Sequence, residues 1–285
     1  MILARRRLLA LIGSTVVLPA WTQARELSLA TAPIELGGDW GRSLPSAALR
    51  VLERMRAVSL AGVSLLSDRQ PRTIRVDNSG GGPPAIWLHF DDAPVAWIKV
   101  NIGERDWSKL AYQFGHELGH VLANSWARDA RPTAGSQGLE EALVEAFSLR
   151  GLGLLAASWQ QHPPFAGDLA FGAEIRRYRD NQFQSYAAYA LDEGIAANPA
   201  AWFRRRRAML ESQGGLGEPC TAAIPLLLAE LTAHPDSVAE VGALNRWAER
   251  SALPLESYLA AWTRSCRQIG HGGSMPSVLR ARFGI

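Results

Sequence analysis

In Trp107-Ser108-Lys109-Leu110-Ala111-Tyr112-Gln113-Phe114-Gly115-His116-Glu117-Leu118-Gly119-His120-Val121-Leu122, apolar residues recur every three or four positions, at Trp107, Leu110, Ala111, Phe114, Leu118, Val121 and Leu122. That spacing predicts a helix that buries an apolar face. His116 and His120 then stand one turn apart on the same face, with Cβ atoms about 6 Å apart, so two ring nitrogens can meet one ion. Glu117 lies on the flank of the pair. Gly115 and Gly119 interleave with the histidines and leave room for another element to approach closely.

Imidazole nitrogen suits zinc at about 2.0 to 2.1 Å, and a catalytic zinc has three protein ligands and an open position. A glutamate beside such a pair can take the proton of a water molecule that attacks a carbonyl. His116-Glu117-Leu118-Gly119-His120 is therefore an H-E-x-x-H run with Glu117 as general base and zinc as the expected cofactor. The plainer alternative is a pair of core histidines held by hydrogen bonds. A metzincin-type site would continue with glycine and then histidine, where this chain has Ala123 and Trp126. A site of the peptide-deformylase type needs a cysteine upstream, and the two cysteines are Cys220 and Cys266.

A second helical pattern covers residues 138–156 and opens Gly138-Leu139-Glu140-Glu141-Ala142-Leu143-Val144-Glu145-Ala146-Phe147-Ser148. Together with the H-E-x-x-H run it resembles the gluzincins, the thermolysin-like and aminopeptidase-like zinc peptidases that take a glutamate from a following helix. The resemblance covers residues 85–148. It implies a zincin-like α+β fold, a zinc cofactor, a peptide or protein substrate and Glu141 as third ligand, with Glu145 behind it orienting a ligand histidine. The rival assignment makes Glu145 the ligand, because Glu145-Ala146-Phe147-Ser148 is close to the thermolysin-type segment, although its spacing from His120 is longer. Glu140 is expected as a solvated surface charge. Residues 94–102 resemble the zincin edge strand that can hold an extended peptide. They lack the segment by which aminopeptidases grip a free amino terminus.

Around this centre, residues 43–57 predict a helix with Ser43 and Ser46 as caps. Short β-prone runs at 63–66, 73–76, 86–90 and 96–102 predict a small mixed or largely antiparallel sheet. Downstream of Pro164 the chain reads as helix with breaks near Asn198-Pro199, Gly214-Gly215, His234-Pro235 and Leu253-Pro254. The expected fold is α+β, with residues 25–160 carrying the metal site and 161–285 an all-helical part forming the far wall of the cleft. A donor for the developing oxyanion is sought among Tyr178, Tyr186, Tyr189, His234 and His271. Tyr186 and Tyr189, on one helical face, are the leading pair.

Arg5-Arg6-Arg7 before the apolar stretch Leu8 to Leu18, with small residues at Ala20 and Ala24, predicts a bacterial export signal over 1–24. Both the general secretory and the twin-arginine routes are open. The expected location is periplasmic or secreted. Cleavage after Ala24 leaves basic and acidic residues balanced at 27 each, so the overall charge of +3 gives no support to nucleic-acid binding. No transmembrane segment is expected in the mature chain. Cys220 and Cys266 are expected to pair as a disulfide in an oxidising compartment. Arg204-Arg205-Arg206-Arg207 reads as a solvated helix surface or as a weak contact with an anionic envelope surface. A zinc peptidase is thus the leading expectation. A catalytically silent zincin-like binding or assembly factor of the envelope and a zinc hydrolase of non-peptide substrates are its alternatives.

Overall fold

A computed structural model describes residues 28–285 apart from 43, 64–68, 79–80, 90–93 and 128. The export signal read at 1–24, the Ser43 cap and most of the strand expected at 63–66 lie outside the described residues. A short helix α1 (Ser28–Thr31) leads into strand β1 (Ile34–Gly38), helix α2 (Pro45–Ser59) and strand β2 (Thr73–Asn78). Strands β3 (Ala85–Ile86) and β4 (Val95–Val100) follow. A proline at the first helical position, and no serine side chain, starts α2.

The sheet is mixed, in the order β1-β2-β4-β3, but it is not largely antiparallel. β1 pairs parallel with β2 and β2 parallel with β4, and β3 alone runs antiparallel, with Ile86 opposite Ile98. Parallel neighbours require a crossover, and α2 supplies it between β1 and β2. In β4, Ala96, Ile98 and Val100 are fully buried while Val95, Trp97 and Lys99 are half-buried on the other face, the period of two that a one-sided sheet demands. β4 is paired on both sides, so the edge strand expected at 94–102 is an interior strand. The edge is β3.

Helix α3 (Trp107–Leu122) and helix α4 (Gln137–Gln161) come next. α4 is apolar all round, a pattern that belongs to a helix enclosed by others. It packs on α2 and α3 on one side and, on the other, on α5 (Phe171–Glu193), the 3-10 turn Cys220–Ala223 and α7 (Ile224–Ala233). It is also the helix among the described residues that is long and apolar enough to cross a membrane, and it is mostly buried inside the molecule.

The rest is helical: α6 (Pro199–Leu210), α8 (Ser237–Val241), α9 (Leu255–Gln268) and α10 (Ser274–Phe283). The breaks fall at the prolines and glycines of the sequence. At one of them the Asn198 side chain accepts from the Ala201 N–H at 2.9 Å and caps α6. One buried apolar cluster runs from Leu29 through α3 and α4 to Phe283.

The expected disulfide is absent, since Cys220 and Cys266 are separate buried thiols. Cys220 packs its sulfur over Gly138 of α4 and donates to Gln213 Oε1 at 2.8 Å, while Cys266 packs beside Gly273. Burial pushes both thiols up to about 12.

Candidate metal centre

Two contacts fix α3 over the sheet. Asp106 caps its first turn by accepting from the Lys109 N–H at 3.4 Å. Gln113 accepts from the Asn101 N–H at 2.8 Å and donates back to the Asn101 carbonyl at 3.3 Å, tying the helix to the end of β4. α4 then meets α3 at the two glycines. A Cβ on Gly119 would lie 2.7 Å from Val144 Cβ, and one on Gly115 would lie 2.8 Å from Ser148 Oγ. Only at so close an approach do the short carboxylate arms of α4 reach the imidazoles of α3.

His116 Nε2 lies 3.3 Å and His120 Nε2 3.4 Å from the same atom, Glu141 Oε2. A tetrahedral site with bonds of about 2.0 to 2.1 Å has edges of about 3.3 to 3.4 Å. The two distances to Glu141 Oε2 thus match such edges, and the three candidate ligand atoms all lie within 4.8 Å of one another. Two imidazole nitrogens and a carboxylate oxygen are also a donor set that zinc accepts.

The atoms behind them point the same way. His116 Nδ1 donates to Glu145 Oε2 at 2.8 Å, and His120 Nδ1 donates to Glu140 Oε1 at 2.9 Å. A carboxylate only accepts, so each ring carries a proton on Nδ1 and presents Nε2 to Glu141, as a donor while the ring is charged and as a lone pair once that second proton has left. Glu145 also accepts from the Tyr112 hydroxyl at 2.8 Å. Gln137 donates to Glu141 Oε1 at 3.1 Å, holding the carboxylate with Oε2 forward. Glu145 is therefore placed behind His116 and not beside Glu141. Glu140, expected in solvent, is 1% exposed: it also accepts from Ser125 Oγ at 2.5 Å and from Asn245 Nδ2 at 2.7 Å. Its burial follows from its place on the well-enclosed first turns of α4, where a charge persists only if it is paired.

The electrostatics are those of a strongly coupled cluster. Burial lowers the His116 imidazole, but the Glu141 and Glu145 carboxylates more than reverse this and raise it to about 9. Burial is likewise outweighed at His120, where Glu141 and Glu140 raise the ring well above its ordinary value. The same imidazoles hold the Glu141 carboxyl well below the usual range against its own burial. Glu117, 3% exposed, is raised by burial, an effect that the two histidines partly offset. It accepts from the backbone N–H of Ile86.

Glu117, His116, His120 and Glu141 form the floor of a cavity of about 200 Å³. One wall is the β3 segment with Pro84, Ala85, Ile86 and Leu88, and the other is Ser125, Pro132 and Gln137. Among the described residues no side chain beyond Glu141 lines it, so the helical C-terminal part stands behind the ligands and is not the far wall. The leading oxyanion donors are misplaced for the same reason. Tyr186 reaches Tyr112 and Glu145 behind His116, and Tyr189 turns to Glu218. Tyr178 packs against Tyr112 with the rings tilted, and His234 lies in a separate groove beside Glu230. Of the arginine run, Arg206 pairs with Glu193 at 2.6 Å and Arg207 with Glu211 at 3.1 Å.

Sequence reasoning missed Gln137, Ser125, Asn245 and the role of Glu140. For Gln137 the signal was its place four residues before Glu141, and for Glu140 it was the all-round apolarity of α4. Asn245 is over a hundred residues from Glu140 and left no local signal. Comparison of the chain with protein families, with characterised proteins and with solved structures finds no match.

Proposed function

We propose that the chain is a zinc-dependent peptidase, acting after export, whose ion is held by His116, His120 and Glu141. What carries this reading is that one carboxylate oxygen stands at tetrahedral-edge distance from two imidazole nitrogens, while the opposite nitrogen of each ring is engaged by a buried carboxylate. Paired outer carboxylates of this kind orient metal-binding imidazoles and raise their basicity. When bound, zinc supplies Lewis acidity and lowers the pKa of water.

Glu117 faces the same cavity and does the proton work. Its raised pKa makes it a better base than an exposed glutamate, able to accept a proton from water and return it to a leaving amine. Trp87 N–H donates to the Trp97 carbonyl at 2.7 Å, so along β3 the neighbouring Ile86 turns its backbone groups away from β4 and toward the cavity. Although the Ile86 N–H is held by Glu117, that outward edge supports an extended peptide as the substrate class. Purified protein should carry about one zinc per chain and cleave peptides from a mixed library. Glu117→Gln should keep the zinc and lose a factor of about 10² to 10⁴ in rate.

One observation favours a second reading. Among the described residues lining the cavity there is no tyrosine and no histidine besides the ligands, and its Ser125 and Gln137 already donate to Glu140 and Glu141. A zinc-loaded protein that binds peptides through the β3 edge without cleaving them would be the outcome. Bound zinc with intact library peptides would favour it.

A further inference from the structure

Four backbone positions of unusual conformation converge on the seam behind His120: Asn124 (φ 64), Asn245 (φ 55), Arg250 (φ 47) and Gly135 (φ 135). The two asparagines clasp each other's segments. Asn124 Nδ2 donates to the Gly242 and Leu244 carbonyls at 3.0 and 2.7 Å, and Asn245 Nδ2 donates to the Ala123 carbonyl at 3.1 Å. Arg250 adds a bond to the Asn124 carbonyl at 3.0 Å. Asparagine adopts a positive φ more readily than most side chains, whereas arginine holds one only where the surroundings impose it, and such positions gather at functional sites.

Asn245 goes further than the clasp. Its amide also lies 2.7 Å from Glu140 Oε2, the oxygen that His120 does not use. Tyr258 donates to Asn245 Oδ1 at 3.2 Å, which sets the amide with its NH₂ toward Glu140. Asn245 and Glu140 are both 1% exposed. A buried carboxylate with one oxygen on an imidazole and the other on a fixed amide has no freedom to rotate.

Resting on the zinc site proposed above, we infer that Asn245 is a positioning residue of the metal centre. It acts through Glu140 to hold His120 Nε2 on the ion, so the C-terminal helical part tunes the site without touching it. An outer partner of a metal-binding histidine is worth about 10- to 100-fold in affinity, and Asn245, one bond further out, should reach the lower end of that range.

The test is Asn245→Gly in the full chain, because glycine keeps the positive φ at no steric cost and removes only the amide. Zinc affinity is read by competition with a chelating dye, and ligand geometry by the visible absorption of the cobalt-substituted protein. The expected result is about tenfold weaker zinc binding and a shifted cobalt spectrum. In a double-mutant cycle, Glu140→Gln with Asn245→Gly should lose no more than Glu140→Gln alone. A purely structural role would lower the thermal midpoint while leaving the cobalt spectrum and the zinc affinity unchanged within about twofold, and that result overturns the inference, as does simple additivity in the cycle. If Asn245→Gly does not fold, Tyr258→Phe is read instead, with a shifted cobalt spectrum supporting the inference and an unshifted one overturning it. Wild-type protein that binds neither metal overturns the zinc site itself, which separates the two failures.

Discussion

His116 and His120 behave as acids whose state depends on what they face. With no ion, Glu141, Glu140 and Glu145 keep both rings protonated, His116 up to about 9. A group raised on folding stabilises the fold below its ordinary pKa, and that contribution fades as pH rises through the shifted one. The metal-free protein should therefore lose stability between about pH 6.5 and 9. Zinc competes for the same nitrogens, so its binding at pH 7 should release close to two protons, against none if the site lay elsewhere on carboxylates alone. Calorimetric titration in buffers of different ionisation heat counts them. At this scale much was legible in the sequence: His116, Glu117 and His120 follow from spacing on one helix, and Glu141 is the position that the gluzincin resemblance implies, ahead of Glu145. Glu140 was misread because a charge next to a ligand looks like surface until the enclosure of α4 is known. Tyr186 and Tyr189 were misread because a shared helical face does not say which neighbour it meets.

Between elements, the centre depends on how closely α3 and α4 approach. Gly119 is the narrowest point, with Val144 Cβ 2.7 Å from where its own Cβ would lie. Gly119→Ala removes a helix-weakening glycine, worth about 1 kcal/mol, but forces a backbone shift that costs about 1 to 3 kcal/mol. The net change should be a loss of stability, accompanied by weaker zinc binding as Glu141 is levered away from the imidazoles. Denaturant unfolding with a parallel zinc titration measures both. A variant with higher stability and unchanged affinity would show that the contact yields without moving the site. The glycines were visible in sequence as gaps in the helix face, and so was the second helix. The parallel course of β1, β2 and β4 was not, since Ile34-Glu35-Leu36-Gly37-Gly38 is too short and glycine-rich to announce a strand. Without β1 the crossover through α2 has no meaning, and β4 reads as an edge when its other neighbour β3 is only two residues long.

At the scale of the whole molecule, α4 belongs to both halves, with the proposed ligand Glu141 on it and one apolar cluster around it. Heating should therefore unfold the chain in one transition. Saturating zinc should raise the midpoint of that whole transition by on the order of 10 °C at a thousandfold excess over Kd. Two calorimetric transitions, of which zinc moves one, would mean that the helical C-terminal part is independent of the metal site. An α+β fold with a helical C-terminal part was readable from periodicity and breaks, because helix spacing and proline positions are local. That this part braces the ligands from behind, through Tyr186 and Asn245, was not, because those contacts join residues far apart in the chain.

The most direct test of the account is an anomalous-diffraction map collected at the zinc edge from crystals of the zinc-loaded protein. It should show a single peak about 2.0 to 2.1 Å from His116 Nε2, His120 Nε2 and Glu141 Oε2, with Glu140 and Glu145 outside the coordination sphere. No peak there, or a peak ligated by Glu145 in place of Glu141, would contradict it.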